Sequence, residues 1–178
     1  VKVGDATTGM AKTVSNGYDN SPGVHAYMST DLYNWTDLGV ALRAVTSKSQ
    51  LTDKSNADYA YFDKAYNLTK SDGSVDAAKA DAIFPYLNTN PDQDGDGAVD
   101  SVQGIFERPK IIYNKKNKQY VLWWHSDGST TPGGSNYARA LAGVAVSDNP
   151  AGPFTMVGAY RLPNQNNWKE AAGQPQLG

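Results

Sequence analysis

Residues 105–126 read IFERPKIIYNKKNKQYVLWWHS, and this stretch decides the fold class. It contains two apolar runs, 105–114 and 120–126, separated by a turn rich in lysine. Side chains along a β-strand alternate between its two faces. In the second run this alternation places Val121, Trp123 and His125 on one face, and Leu122 and Trp124 on the other. The two runs therefore predict neighbouring antiparallel strands.

The same pattern continues on both sides of this stretch. Strands are predicted at 140–147 and 154–161, so that four short strands follow one another at roughly ten-residue spacing, which is typical of an antiparallel meander. Upstream, residues 24–30 and 35–42 predict a hairpin. The chain is therefore predicted to be all-β, with residues 1–23 as loop or the end of an earlier element.

Residues 46–104 have a different composition, because Lys, Asp, Ser, Asn and Tyr dominate and strand periodicity fades. Residues 74–87 predict a helix with Ser74 as its N-cap, several alanines as helix formers, and an end or kink at Pro85. A connection of this length is longer than loops usually are, and such segments are commonly functional or ordered by a ligand. We interpret residues 46–104 as an insertion between two β units.

Composition excludes several classes of function. The 178 residues contain no cysteine, which excludes disulfides, thiolate metal sites and cysteine catalysis. The net charge is −2 with both signs scattered, which argues against binding to nucleic acids or to anionic membranes. No apolar run approaches the roughly 18 residues of a membrane span. The first residues, VKVGD, carry no signal peptide and indicate a mature or excised start.

Residues 92–100, DQDGDGAVD, form the clearest local motif. Calcium prefers six to eight oxygen ligands, and an EF-hand loop supplies them at alternate positions with a glycine at the sixth position. The ligands here would be the carboxylates of Asp92, Asp94, Asp96 and Asp100 and the backbone carbonyl of Ala98.

The motif departs from an EF-hand at its twelfth position, where Gln103 replaces the bidentate glutamate. We therefore expect an EF-like or dockerin-like calcium site of structural type that orders the insertion. A solvated acidic turn is the alternative. Weak calcium sites suit extracellular calcium, so we expect a secreted or cell-surface protein.

Four motifs in a fixed order carry a resemblance to a known family. They are MSTDLYNW at 28–35, FERPKIIYN at 106–114, YVLWWH at 120–125 and GVAVSDNPAGPF at 143–154. In this order they resemble glycoside hydrolase family 43, and the Glu-Arg-Pro-Lys form is similar to its branch of exo-β-1,3-galactanases. The resemblance covers residues 24–45 and 105–163, under half of the chain.

The resemblance implies a five-bladed β-propeller with sugar bound at the mouth of its central channel. This chain would cover part of the first blade and the second blade. The implied activity is inverting hydrolysis of an O-glycosidic bond in galactan, which uses two carboxyl groups about 6.5–9.5 Å apart. The general acid would lie outside these 178 residues, so we expect residues 1–178 alone to be inactive.

Glu107 is the carboxylate that matches the family's motif, at the start of an innermost strand. The resemblance implies that Glu107 binds the sugar and tunes the general acid. Many family members instead have Trp-Ala-Pro-Asp here, with the aspartate as modulator, and Lys110 occupies that position in this chain. The alternative is a surface glutamate or one that forms a salt bridge with Arg108.

Further candidates for substrate binding are Arg108, His125, Asp127 and Tyr137, with Arg139 as a weaker one. Arg108 can donate paired hydrogen bonds to a sugar or orient Glu107. His125 and Asp127 can line the mouth of the site, and Tyr137 matches a tyrosine that the family places near the sugar. Structural roles for Arg108 and His125 are equal alternatives, and either tryptophan can belong to the core.

Three other functions agree with these observations. The same family includes arabinofuranosidases and xylosidases, and half a propeller does not separate their sugars. A propeller without its general acid would be a carbohydrate-binding module. A calcium-organised adhesion domain is the third alternative.

Overall fold

The computed structural model describes residues 21–161, whose strands form two antiparallel sheets. The first sheet pairs β1 (Gly23–Met28) with β2 (Thr36–Arg43). The second has four strands in sequence order: β3 (Gly104–Asn114), β4 (Gln119–Gly128), β5 (Leu141–Ser147) and β6 (Thr155–Tyr160). The predicted hairpin and the predicted meander are therefore confirmed, and the predicted loop at 1–23 lies almost wholly outside the described residues.

Three helices occupy the insertion: α1 (Ser49–Thr52), α2 (Tyr59–Tyr66) and α3 (Ala77–Leu87). The sequence predicted α3 alone. The predicted N-cap, Ser74, is wrong, because the carboxylate of Asp76 accepts the backbone N–H of Lys79 at 3.1 Å. The helix also continues past Pro85 to Leu87. Within the described part of the chain, none of the helices is long and apolar enough to cross a membrane.

The helices and both sheets share one apolar core. Its fully buried members include Leu42 of β2, Phe62 of α2, Leu87 of α3 and Leu122 of β4. Burial of such side chains supplies most of the free energy that favours folding. The helical part of the insertion therefore contributes side chains to the core.

The connection from α3 to β3 is held together by hydrogen bonds to Asn88, whose side chain is fully buried. Its Nδ2 donates to the carbonyl of Val102 at 2.6 Å, and its Oδ1 accepts the N–H of Asn90 at 3.1 Å. Its backbone carbonyl accepts the N–H of Gly104 at 2.6 Å. Residues on both sides of the DQDGDGAVD segment at 92–100, called the acidic loop below, therefore bond to Asn88, so that this loop starts and finishes near the first residue of β3.

A β-bulge interrupts the pairing of β3 with β4. Glu107 lies opposite His125 and Lys110 lies opposite Trp123, so Arg108 and the proline after it face a single residue of β4. Arg108 has a φ of 51°, in the left-handed region that non-glycine residues seldom adopt. Bulges of this kind redirect side chains and are common beside active sites.

The packing of Trp124 depends on Gly143 of β5, its cross-strand partner. A Cβ atom at residue 143 would overlap the indole ring, which is 3% exposed and belongs to the core. We expect Gly143→Ala to lower the free energy of unfolding by about 1–3 kcal/mol, the usual cost of overpacking. Urea unfolding measures this. In a Trp124→Phe background the same change is expected to cost less, and equal costs in the two backgrounds would contradict the steric explanation.

Asp58 connects β2 to the helices. Its carboxylate accepts from Arg43 at 2.8 Å and from Gln50 at 2.7 Å, and these hydrogen bonds, led by that of Arg43, hold the pKa of Asp58 below its ordinary 3.8. A lowered pKa stabilises the fold above that ordinary value and ceases to do so as the pH falls through the folded-state value.

We expect Asp58→Asn to cost about 0.5–1 kcal/mol at pH 7, because the ion pair is partly exposed. The difference from the unmodified protein is expected to shrink as the pH falls below the ordinary value of 3.8. Urea unfolding at pH 7 and at acidic pH measures both quantities. The exposed change Asp148→Asn is the charge-matched control, and a loss that does not diminish in acid would contradict this account.

Candidate functional site

Four polar side chains meet where β3 approaches its bulge and β4 ends. Oε2 of Glu107 lies 3.1 Å from Nδ1 of His125, and Oε1 accepts the hydroxyl of Tyr137 at 2.9 Å. On the far side of the imidazole, Nε2 lies 3.1 Å from Oδ2 of Asp127. The structure therefore joins four of the residues selected from the sequence into one continuous chain of contacts.

Strand geometry explains how Glu107 and His125 meet. They are direct cross-strand partners, whose side chains leave the same face of the sheet. Asp127 is two residues beyond His125 and shares that face. The side chain of Glu107 is 13% exposed and that of His125 is 29% exposed, so a ligand can reach both.

Arg108 is peripheral to this cluster. Its Nη1 lies 3.9 Å from Oε2 of Glu107, and its side chain is 78% exposed. An exposed ion pair of this length contributes little to stability. The guanidinium is accessible to a ligand, and its predicted contact with sugar stays a prediction.

Tyr137 reaches Glu107 because the loop that carries it is tied to the end of β4. Oδ1 of Asp127 accepts the backbone N–H groups of Gly128 and Arg139 at 2.9 Å and of Ala140 at 3.2 Å. Gly128 and Tyr137 also form an isolated parallel bridge. Tyr137 is 57% exposed, so a ligand can reach it.

Arg139, the weaker candidate, points into the fold. It is 8% exposed, and its guanidinium donates to the carbonyls of Pro85 and Ser129. Burial lowers the pKa of Arg139, while Tyr86 and Asp127 act in the opposite direction. These hydrogen bonds connect the loop that carries Tyr137 to α3. They give Arg139 a structural role in the fold.

The two tryptophans of β4 have different surroundings. Trp124 is 3% exposed and its ring lies 5.7 Å from that of Phe106, centroid to centroid. It is a core residue, as one of the two interpretations of the sequence expected. Trp123 is half-buried on the opposite face, the one that carries His125.

The acidic loop brings three of its four aspartates together. Asp92, Asp94 and Asp96 each place a carboxylate oxygen within 4.8 Å of the others. Asp92 also accepts the N–H groups of Gly95 at 2.7 Å and Gly97 at 2.9 Å, which folds the loop around it. A set of hard carboxylate oxygens at this spacing fits calcium.

The remaining positions of the motif have contacts within the fold. Oδ1 of Asp100 accepts the N–H of Gln93 at 2.9 Å. Gln103 is 2% exposed, and its amide donates to the carbonyl of Thr89 at 3.2 Å. Its backbone exchanges hydrogen bonds with Ser129, at 3.0 Å to the hydroxyl and 3.1 Å from the serine N–H. The acidic loop therefore ends against the loop that carries Tyr137.

Sequence reasoning did not predict an apolar groove between the two sheets. Its volume is about 460 Å³, and its lining includes Val24, Tyr27 and Met28 of β1 and Ile111 of β3. None of the four residues in the Glu107 cluster lines it. The sequence does contain an indication of this groove, because apolar residues occupy consecutive positions of β1. Since neighbouring side chains of a strand lie on opposite faces, some of these apolar residues must lie outside the core.

The sequence matches no family model and no curated protein. Among solved structures, the chain is similar to an exo-β-1,3-galactanase from Phanerochaete chrysosporium crystallised with galactose. The identity is 26% and the TM-score 0.44, over 80% of this chain and 21% of that one. It is also similar to a family 43 β-1,3-galactosidase bound to galactodeoxynojirimycin, with 26% identity and a TM-score of 0.46, over 82% of this chain and 27% of that one.

A third similar structure is a putative exo-β-1,3-galactanase from Bifidobacterium bifidum, at 23% identity and a TM-score of 0.41. The chain spans between 19% and 28% of the length of the solved structures that it resembles. The similar solved structures are named as exo-β-1,3-galactanases or as β-1,3-galactosidases of glycoside hydrolase family 43.

Proposed function

We propose that this chain is part of an inverting glycoside hydrolase that cleaves β-linked galactan or the galactan of arabinogalactan side chains. The observation that carries the proposal is the hydrogen-bonded cluster of Glu107, His125 and Tyr137. These residues come from separate parts of the sequence. The motif resemblance selects each of them as a site residue independently of the distances between them.

The chemistry of the cluster suits sugar recognition. A carboxylate that is partly exposed can accept hydrogen bonds from sugar hydroxyls, and the guanidinium of Arg108 can donate to them. The exposed ring of Tyr137 offers an apolar face beside these polar groups. We propose that Glu107 holds the sugar and tunes the general acid.

The general acid itself is proposed to lie outside these 178 residues. Inverting hydrolysis needs a second carboxyl group about 6.5–9.5 Å away, across the scissile bond. Asp127 is too enclosed for that role, because its side chain is 2% exposed and lies behind His125.

We further propose that the two sheets belong to successive blades of a five-bladed propeller. Four antiparallel strands in sequence order are the topology of a propeller blade, and β3 to β6 have that order. The pair β1–β2 would belong to the preceding blade. In this arrangement Glu107 faces the central channel.

Replacement of Glu107 by glutamine tests the proposed activity. The change keeps the shape of the side chain but removes its charge, so we expect hydrolysis of β-1,3-galactan by the full-length gene product to fall about 100-fold or more. Release of galactose measures this. Asp148→Asn, an exposed carboxylate-to-amide change, is the matched control and is expected to keep full activity.

Undiminished hydrolysis by the Glu107→Gln protein would contradict the proposed role of Glu107 in sugar binding and catalysis. An unmodified protein that binds β-1,3-galactan oligosaccharides without cleaving them would instead support the carbohydrate-binding alternative. Turnover by residues 1–178 alone would contradict a general acid outside the chain.

We also propose that the acidic loop binds a structural calcium ion through Asp92, Asp94, Asp96 and Asp100 and the carbonyl of Ala98. The grouping of three of these carboxylates supports it. The ion would balance their mutual repulsion and order the loop between α3 and β3. A polysaccharide substrate and a weak calcium site both suit a secreted or cell-surface location, which we propose for this protein.

Thermal unfolding with and without calcium tests this second proposal. Calcium at about ten times its dissociation constant is expected to raise the melting temperature by about 3–6 °C, and a chelator should reverse the rise. Asp94→Asn should abolish the rise and Asp148→Asn should preserve it. A melting temperature that does not respond to chelator would remove calcium from the account.

A further inference from the structure

We propose that Asp127 is a positioning residue, which presents Glu107 to the sugar by two routes: through the imidazole of His125 and through the loop that carries Tyr137. This inference rests on the proposed function for its sugar-binding consequence. The arrangement of protons that it requires can be tested without any sugar. It replaces the direct sugar contact that the sequence suggested for Asp127.

The burial of Asp127 excludes direct contact with a ligand in this geometry. Its side chain is 2% exposed, and both carboxylate oxygens have partners. Oδ1 accepts three backbone N–H groups, and Oδ2 faces Nε2 of His125 at 3.1 Å. Any effect of this carboxylate on a sugar must therefore pass through the groups that it holds.

The first route decides which nitrogen of His125 donates. An ionised carboxylate can only accept hydrogen bonds, so Nε2 must carry the proton that lies between His125 and Asp127. Nδ1 then faces Oε2 of Glu107 at 3.1 Å. One further proton must lie between these two atoms, on either of them, because otherwise a lone pair would face a carboxylate. Asp127 thus requires the Glu107–His125 pair to hold a proton.

Within residues 21–161, Tyr137, Arg108 and Arg139 are further charged or titratable groups near this pair, and they do not remove that requirement. Tyr137 already donates its hydroxyl to the other oxygen of Glu107. The guanidinium of Arg108 is 3.9 Å from Oε2 and largely exposed. Arg139 directs its guanidinium to the carbonyls of Pro85 and Ser129.

The second route is the backbone. By accepting the N–H groups of Arg139 and Ala140, Oδ1 closes the loop that begins at Gly128. This closure brings Tyr137 to a carboxylate 30 residues earlier in the sequence. The same side chain therefore acts on two groups that contact Glu107, one through each of its oxygens.

Asp127→Asn separates the two routes. The amide oxygen can keep the three backbone hydrogen bonds, while the amide nitrogen then faces Nε2 and donates to it. Nε2 should lose its proton, and one proton should remain between Nδ1 and Glu107. Tyr137 should stay in place, because the loop closure is retained.

Nitrogen-15 spectra of the imidazole rings measure this directly. The chain has two histidines, so His25→Gln assigns the signals of His125. We expect a protonated Nε2 in the unmodified protein and an unprotonated Nε2 in Asp127→Asn, with Asp148→Asn unchanged. A Nε2 without a proton in the unmodified protein would overturn the proposal even if the variant failed to fold. Identical ring spectra in the folded variant would also overturn it.

A titration with galactose tests the consequence for binding. We expect Asp127→Asn to weaken galactose binding about tenfold or more, as found when partners that orient histidines at metal sites are removed. A changed ring with unchanged affinity would overturn the positioning role. The unmodified protein could fail to bind galactose while the nitrogen-15 spectra of His125 show the expected protonation. In that case the proposed function would be wrong, and the inference that Asp127 sets the protonation of His125 would stand.

Discussion

The pairing of β3 with β4 is the constraint on which the rest of the described structure depends. It sets Glu107 opposite His125, and the bulge that follows absorbs the extra residue before Lys110 restores the pairing. A slip of one residue would send every side chain of β3 to the other face. Two contacts of Trp124 support the neighbouring pairings: its ring lies 5.7 Å from that of Phe106 on β3, and its indole occupies the space that Gly143 of β5 leaves open.

The two faces of β4 lie in different environments, the core and the candidate site. Alternation sends Leu122 and Trp124 into the core, while His125 and Asp127 remain on the face that carries Glu107. The hydrophobic residues that make the strand stable therefore also fix the positions of the polar ones. A site supported in this way needs little rearrangement to bind, which reduces the entropic cost of binding a ligand.

The helical insertion supports the same region from the other side. Arg139 joins the Tyr137 loop to α3 through the carbonyl of Pro85, and Gln103 joins the end of the acidic loop to Ser129. A calcium ion in the acidic loop would thus act on the segment that leads into β3. The insertion, the two loops and the strands form one connected set of contacts, and the site lies where they converge.

The sequence by itself determined the strands, because a two-residue alternation and polar turns are local properties that a chain of this composition expresses directly. It also determined α3 and the set of site candidates, through alanine content and ordered motifs. It did not predict α1 and α2, because their sequences are rich in polar residues and show little helical periodicity. These helices depend on packing against the core, where Phe62 of α2 is fully buried. The N-cap was misplaced because Ser74 bonds to Asp72 instead.

Only the tertiary structure decided which candidates act together. The contact of Tyr137 with Glu107 and the burial of Asp127 depend on the closure of a loop between β4 and β5, and no local pattern encodes that closure. The same holds for Arg139, which the fold turns toward α3. Local periodicity specifies which way a side chain faces along its own strand, whereas contacts between distant segments depend on how the whole core packs.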